Sequence, residues 1–130
     1  MSDHTLPRQE RLRSLKAIRR LFGEGHSGFA YPVRYVYLLE EGVIVPSGDR
    51  SVQAMFSVPK KFHKRANRRN LHKRRMREAY RLGRDGICER LRQSGKHLQI
   101  AFIYSTKECH SYKTISNAVQ RILEQVSKAV

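Results

Sequence analysis

One segment, in which cationic and apolar residues are interleaved, constrains this chain more than any other part of the sequence. From Arg50 to Arg77 there are eleven Lys or Arg residues and no acidic residue. On a helical wheel of about 100° per residue, the cationic side chains after Arg69 fall on one side and the apolar ones on the other. The pattern predicts a helix, from Ala66 to about Leu82, that packs on the fold by one face. Its outward face would carry Asn70, Lys73, Arg74, Arg77 and Arg81, and its packed face Leu71, Met76, Ala79, Tyr80 and Leu82.

The outward face indicates a partner with negative charges. Lys73–Arg77 and Arg77–Arg81 are like-charged i,i+4 pairs, and each pair destabilises an isolated helix by roughly a few tenths of a kcal/mol. Phosphate groups would neutralise that face, whereas a helix face that serves only solubility usually mixes the two signs. Arg75 is an exception, because it lies near the apolar side. We expect its charged end to extend past the sheet edge, either solvated or in contact with a nucleic acid.

The composition predicts one folded domain that attracts polyanions. The chain has 130 residues, 39% of them hydrophobic, which suffices for one core and a single domain over residues 1–130. Its formal net charge of +16 concentrates polyanions around it. Nucleic acid is the leading partner, and an anionic membrane surface is the second. We expect residues 1 to about 12 to form a flexible basic N-terminal segment.

The sequence also predicts a cytoplasmic protein. Its two cysteines, Cys88 and Cys109, are not part of a CxxC motif, and we interpret them as reduced thiols. The first residues lack the apolar core of a signal peptide, and no apolar run approaches the length of a membrane span. A soluble intracellular protein is therefore expected.

Periodicity along the rest of the chain predicts the order α-β-β-α-β-α. Helices are expected over Arg13–Phe22, at Ile87–Gln93 and from Tyr112, the last of them capped by Ser111. Strands are expected over Phe29–Glu40, Ser51–Val58 and His97–Tyr104, with a turn at Val45–Asp49. The last strand is the most apolar and is expected at the centre of the sheet. The first helix would pack through Leu15, Ala17, Ile18, Leu21 and Phe22. The fold class that follows is an α+β or α/β sandwich with one central sheet and helices packed on it.

The stretch FSVPKKFHKRANRRNLHKRRMREAYR, Phe56 to Arg81, resembles the bacterial ribonuclease P protein family. That family has a strand ending in S-V-x-K-K, a short loop, and then R-N-R-x-K-R-x-x-R-[EQ]-[AS]-[FY]. The matching residues here are Ser57, Val58, Lys60, Lys61, Arg69, Asn70, Lys73, Arg74, Arg77, Glu78, Ala79 and Tyr80. Leu71 departs from the arginine of the pattern, and Pro59 stands where a small polar residue is common. The order of segments fits the family along nearly the whole chain.

The resemblance implies a fold and a function. The fold is an α/β sandwich whose βαβ crossover is left-handed, a hand that is rare in general. The function is that of a protein subunit that assembles with a large catalytic RNA, and the complex removes the 5′ leader of precursor tRNA. The RNA carries out the hydrolysis with Mg²⁺ that the RNA components mainly hold, so no catalytic residue is expected in the protein. The implied partners are the catalytic RNA and precursor tRNA; no membrane and no further protein partner is required.

The resemblance, together with the outward face, also implies two sets of site residues. RNA binding is expected at Lys60, Lys61, Lys64, Arg65, Arg68, Arg69, Asn70, Lys73, Arg74, Arg77 and Arg81. A cleft for the single-stranded leader, which needs cationic walls and aromatic faces for stacking, is expected at Ile18, Phe22, Tyr35, Tyr37 and Phe102. Ile18 stands where the family often has Phe. A core position is an equal alternative for Phe102, whereas for Tyr37 we favour the cleft because a buried hydroxyl needs a partner.

The sequence offers no pattern for a nuclease that works by its own side chains. The acidic residues are scattered, and the histidines show no metal-ligand spacing. His63 and His72, which flank and enter the basic stretch, are interpreted as phosphate donors or surface residues. Two alternatives remain at this point: a structural ribosomal protein, suggested by charge and size, and a DNA-binding module that inserts the basic helix in a major groove.

Overall fold

The computed structural model describes residues 11–41 and 52–130, and this part of the chain holds four helices and four strands. The helices are α1 (Leu15–Glu24), α2 (Ala66–Gly83), α3 (Asp85–Ser94) and α4 (Tyr112–Ala129). The strands are β1 (His26–Ala30), β2 (Val33–Glu41), β3 (Val52–Ser57) and β4 (Lys96–Tyr104). Ser14 and Ser111 cap α1 and α4 through their side-chain oxygens. The predicted turn at Val45–Asp49 lies outside the described residues.

The strands form one sheet in the order β1-β2-β4-β3. β4 has a neighbour on each side, which confirms the prediction that the most apolar strand is central. The β1–β2 and β2–β4 pairs are antiparallel, whereas β3 and β4 are parallel. Because parallel neighbours need a crossover connection, α2 and α3 lie between β3 and β4 in sequence. The mixed α/β class and this crossover are confirmed, and the left hand of the crossover stays a prediction.

The single strand predicted over Phe29–Glu40 is two strands in the structure. The chain turns at Tyr31 and Pro32, and β1 pairs back on β2. Proline has a preset backbone angle and no N–H to donate to a strand ladder, which favours a turn here. The carbonyl of Pro32 accepts a hydrogen bond from the Ser105 N–H at 2.9 Å, so this turn is held against the end of β4.

Both faces of the sheet are covered, but by different helices. On one face, α2, α3 and α4 enclose the main core, whose residues include Val33, Ile100, Phe102 and Val119. On the other face, a smaller cluster joins α1 to the sheet. Its buried members are Leu12, Leu21, Val36 and Ala101. We call this second side the α1 face.

Two expectations about exposure are wrong. Leu15 and Leu82 were both expected to pack, yet they are 62% and 59% exposed, because each lies at the end of its helix. The flexibility of the N-terminal segment up to about residue 12 stays a prediction, but the end of that segment contacts the sheet. Leu12 is buried, and its N–H donates to the Ala54 carbonyl at 2.9 Å. Residues 1–10 lie outside the described part of the chain.

Candidate nucleic-acid interface

Helix α2 packs on the sheet by the face that the helical wheel predicted, and one residue not expected there is also buried. Met76, Ala79 and Tyr80 are fully buried, and Leu71 is half-buried. His72 is also fully buried, although it was interpreted as a phosphate donor or surface residue. The buried side fixes the rotation of the helix, so the opposite side faces outward.

The outward side of α2, which we call the cationic face, consists of Asn70, Lys73, Arg74, Arg77 and Arg81. Asn70 and Arg74 are exposed, and the other three are half-buried. Arg81 differs from its neighbours because its guanidinium donates two hydrogen bonds to the Glu78 carboxylate, at 3.1 and 2.8 Å. Its charge is paired within the helix, so it offers less to a phosphate than Arg74 does.

The loop before α2 and the first turn of α2 add further cations. Lys60, Lys61, Lys64 and Arg65 of the loop and Arg68 of the helix are all exposed, so phosphates can reach them.

Two arginines near this loop hold the backbone in place. Arg69 donates to the carbonyls of His63 and Lys64, at 3.1 and 2.6 Å, and thereby fixes the loop. Arg75 donates to the carbonyl of His110, in the loop between β4 and α4. Its guanidinium was expected to extend past the sheet edge, and it joins two parts of the fold instead.

A groove with cationic walls and an apolar floor lies beside Arg77. It is lined by Arg11, Leu12, Arg13, Ala54, Met55, Phe56 and Arg77. Burial lowers the pKa of Arg77 from its ordinary value, and the neighbouring charges of Arg11 and Arg74 lower it further. An anion placed beside these like charges would be attracted. Sequence reasoning missed Arg11 and Arg13, because only the pairing of this segment with β3 brings them here.

The structure separates the five residues predicted for the leader cleft. Phe102 is fully buried and stacks on Phe56 with ring centres 5.4 Å apart, so its assignment to the cleft is wrong and its core alternative is confirmed. Tyr35 pairs with Phe102 across the sheet and lies on the same face. Tyr37 stacks on Tyr35 at 6.2 Å and packs against the same core. Burial, and secondarily Tyr37, raises the pKa of Tyr35.

Ile18 and Phe22 lie on α1, and Ile18 packs on the opposite, α1 face of the sheet. Side chains alternate between the two faces along a strand, which explains this separation. Val36 and Ala101 pair on the α1 face, whereas the residues one position away point to the main core. A single cleft that contains all five residues is therefore excluded.

The α1 face presents a different set of side chains. Phe29, Arg34, Ile103 and Ser57 follow one another across the four strands by direct pairing, and directly paired residues share a face. We call this row the sheet strip. Phe29 is 54% exposed, and the Arg34 guanidinium lies over its ring at 5.9 Å. Phe22 of α1 is 46% exposed. The even positions of β2 could have indicated Arg34 from the sequence.

A buried aromatic cluster lies under the first half of α2. His72 stacks on Tyr104 with ring centres 4.2 Å apart and planes 8° apart, and His63 is 4.8 Å from His72. Burial, and secondarily His63 and the nearby arginines, lowers the pKa of His72 from 6.5 to about 4. Burial also raises the pKa of Tyr104 to about 12. Neither ring therefore changes its charge near neutral pH.

The pKa of His72 predicts an acid-sensitive fold. The unfolded chain takes up a proton near pH 6.5, whereas the folded chain does so only near pH 4. The contribution of His72 to the free energy of unfolding should therefore be constant above about pH 7 and fall by about 3 kcal/mol between pH 6.5 and 4. His72→Phe keeps an aromatic ring on Tyr104 and should remove this part of the pH dependence. Urea unfolding in a chelator at several pH values measures it; equal pH profiles for the two proteins would contradict the assignment.

Metal-ligating side chains come together at one place in residues 11–41 and 52–130. His63, His72 and Cys109 form the group, and it contains no carboxylate. The spacing of histidines and cysteines in the sequence had indicated no metal site. Neither Cys88 nor Cys109 forms a disulfide in the described part of the chain. In the described part of the chain, no helix has the length and apolar character needed to cross a membrane.

The sequence matches known proteins over nearly the whole chain. The family model described as Ribonuclease P matches residues 6–127. A ribonuclease P protein component of Porphyromonas gingivalis strain W83 is 35% identical over 124 residues, which cover 94% of this chain and 86% of that protein. One of Chlorobium phaeobacteroides is 33% identical over 132 residues, covering 95% and 88%.

Two solved structures share the fold. The Staphylococcus aureus RNase P protein superposes with a TM-score of 0.70 at 19% identity, covering 90% of this chain and 94% of that one. The Thermotoga maritima RNase P protein superposes with a TM-score of 0.67 at 26% identity, covering 89% and 96%. The family match spans nearly the whole chain and includes the cationic face of α2. This chain therefore belongs to the ribonuclease P protein family.

Proposed function

We propose that this chain is the RNA-binding subunit of a ribonuclease P, and that the cationic face and the preceding loop bind phosphates of its catalytic RNA. The observation that carries this proposal is the concentration of cations on one side of α2, where Lys73, Arg74 and Arg77 follow a loop of exposed lysines. Such a concentration of like charge is unfavourable unless anions neutralise it. The rigid packing of Met76 and Tyr80 beneath the helix keeps the cations in fixed positions, which suits a folded RNA of fixed shape.

We further propose that the single-stranded leader of precursor tRNA lies on the α1 face rather than among Tyr35, Tyr37 and Phe102. Single strands bind where a cationic groove runs beside accessible aromatic rings. The α1 face offers Phe22 and Phe29 as exposed rings and Arg34 as a cation. The groove at Arg77 opens beside Met55 on the same face. The leader would thus run across the sheet strip toward the cationic face.

Mg²⁺ in this proposal is bound by RNA. Mg²⁺ prefers oxygen ligands in octahedral geometry, and the only cluster of potential metal ligands in the described part of the chain consists of two imidazoles and a thiol. The described side chains therefore do not fit a magnesium site. The protein would contribute binding and orientation of the substrate, and the RNA the hydrolysis.

Binding of leader-bearing and mature tRNA to the reconstituted complex tests the position of the leader. Phe22→Ala and Phe29→Ala each remove one exposed ring, and a lost stack costs about 1–3 kcal/mol, or roughly 5- to 150-fold in affinity. We expect that loss for precursor tRNA and no change for mature tRNA. Leu82→Ala, which removes an exposed apolar side chain outside the strip, is the control. Equal losses for both tRNAs, or none, would place the leader elsewhere.

A further inference from the structure

Three side chains that the proposed function does not use meet beside α2. His63 comes from the loop before α2, His72 from α2 itself, and Cys109 from the loop between β4 and α4. One ring nitrogen of each histidine and Sγ of Cys109 lie within 4.8 Å of one another. Three separate segments thus bring two nitrogens and one sulfur to a single point.

His72 is the member whose environment is the hardest to explain without a ligand. Its side chain is fully buried, and neither ring nitrogen has a hydrogen-bond partner among the described residues. Buried polar atoms are nearly always hydrogen-bonded, because an unsatisfied one costs free energy. The stack on Tyr104 fixes the plane of the ring. A metal ion in the plane of the ring would accept the electron pair of one of these nitrogens, and the stack already sets that plane.

His63 and Cys109 are each held by a second contact. The Nε2–H of His63 donates to the Thr106 carbonyl at 2.8 Å, which leaves Nδ1 with a free electron pair. A hydrogen bond from one imidazole nitrogen to a carbonyl is the usual way in which a metal-binding histidine is oriented. The Arg68 guanidinium donates to Sγ of Cys109 at 2.7 Å and so orients the sulfur, on an exposed loop, toward α2.

We propose that His63, His72 and Cys109 bind a zinc ion and leave a fourth position to water. Zinc takes imidazole nitrogen and thiolate sulfur at about 2.0–2.3 Å in tetrahedral geometry, so its ligand atoms are about 3.3–3.7 Å apart. The cluster must contract by about 1 Å, and the exposed loop of Cys109 can supply this movement. On binding, the thiol proton passes to solvent and the Zn–S bond forms.

The zinc would tie together parts of the fold that only weaker contacts join. It would link the loop of Lys60–Lys64 and the first half of α2 to the loop between β4 and α4. These segments carry most of the cations expected to bind RNA, so the ion would fix the relative positions of the loop cations and the cationic face. This role is structural and goes beyond the proposed function.

Cobalt and zinc titrations of the full-length protein, purified in the presence of a chelator that is then removed, test the site. Co²⁺ should bind at one equivalent, with a sulfur-to-cobalt charge-transfer band and the visible bands of a tetrahedral ion, and Zn²⁺ should displace it. Second-shell changes alone cost about 10- to 100-fold in metal affinity. Loss of the ligand in Cys109→Ser should therefore weaken zinc binding by at least about 100-fold and abolish the charge-transfer band. Zinc should raise the Tm of the parent protein and not that of this variant.

Cys88→Ser is the matched control, because it removes the other cysteine, on α3, with the same substitution. It should keep the stoichiometry and the band of the parent. His72→Phe should lose the tetrahedral spectrum as well, and if it does not fold, Cys109→Ser decides alone because Cys109 is exposed. The site is refuted if the parent shows no sulfur-to-cobalt band, or if the two serine variants bind zinc equally well.

Discussion

Alanine in place of Lys73, Arg74 and Arg77 together is expected to weaken binding of the catalytic RNA by about 500-fold in 0.1 M salt. Each phosphate contact contributes about 0.9 to the slope of log affinity against log salt, so three contacts amount to ~2.7 log units between 0.1 and 1 M. The slope itself should become shallower by about two to three units. Alanine is the best helix former, so α2 should remain folded. Filter binding over a salt series measures both quantities.

The single variants and a remote arginine complete the RNA-binding test. Arg74→Ala and Arg77→Ala should each lower the slope by about one unit. Arg121→Ala removes the same side chain from an exposed position on α4, outside the cationic face, and should change the slope by much less. If the triple variant keeps the slope of the parent, these side chains do not meet phosphate and the proposed RNA surface is wrong.

Phe102→Ala is expected to lower the free energy of unfolding by about 3–5 kcal/mol, the usual cost of removing a buried aromatic ring. Phe102 is fully buried between Phe56 and Tyr80, with ring centres 5.4 and 5.7 Å away. The cavity would open at the middle of the main core, where β4 meets α2. Urea unfolding monitored by circular dichroism gives the change.

Phe22→Ala is the counterpart on the α1 face. Phe22 is 46% exposed, and surface substitutions usually stay within about 0.5 kcal/mol of the parent in stability. The two variants should therefore differ in which property they lose. Phe102→Ala should lose stability, and Phe22→Ala should lose affinity for the leader. A stable Phe102→Ala protein that binds the leader poorly would return Phe102 to the cleft.

Helix α2 was predictable because its pattern is long and two-sided. A period of 3.6 over many residues fixes which side packs, and Met76, Ala79 and Tyr80 are buried as expected. The prediction failed at Leu82, in the last turn, where the chain leaves the sheet for α3. It also could not show that Arg81 pairs with Glu78, since a wheel does not distinguish a charge facing solvent from one already paired.

The leader cleft was not predictable in the same way. Alternation along β2 shows that Tyr35 and Tyr37 share a face and that Val36 lies on the other. It does not show which helices cover which face, and here both faces of β2 carry apolar residues. Stacking was predicted on the aromatic side, yet this is the side that three helices cover. Tertiary packing, not the strand pattern, decided which rings remain accessible.

The cluster of His63, His72 and Cys109 could not be predicted from the sequence, for a different reason. Its members are nine and thirty-seven positions apart in the sequence, and no local motif spans such distances. The two histidines come together because the loop before α2 folds back along the helix. Cys109 joins them because its loop follows the central strand, whose last residue, Tyr104, stacks on His72.

The hydrogen bond from the Leu12 N–H to the Ala54 carbonyl has a consequence for self-association. β3 is an edge strand of the sheet, and an uncovered edge invites pairing with the edge of another copy. Arg11 and Leu12 lie along part of that edge, so the chain occupies with its own backbone the place that an intruding strand would take. The same bond sets Arg11 beside Arg77. One short segment thus hinders the pairing of this sheet edge with another copy, and it also places a cation at the proposed RNA surface.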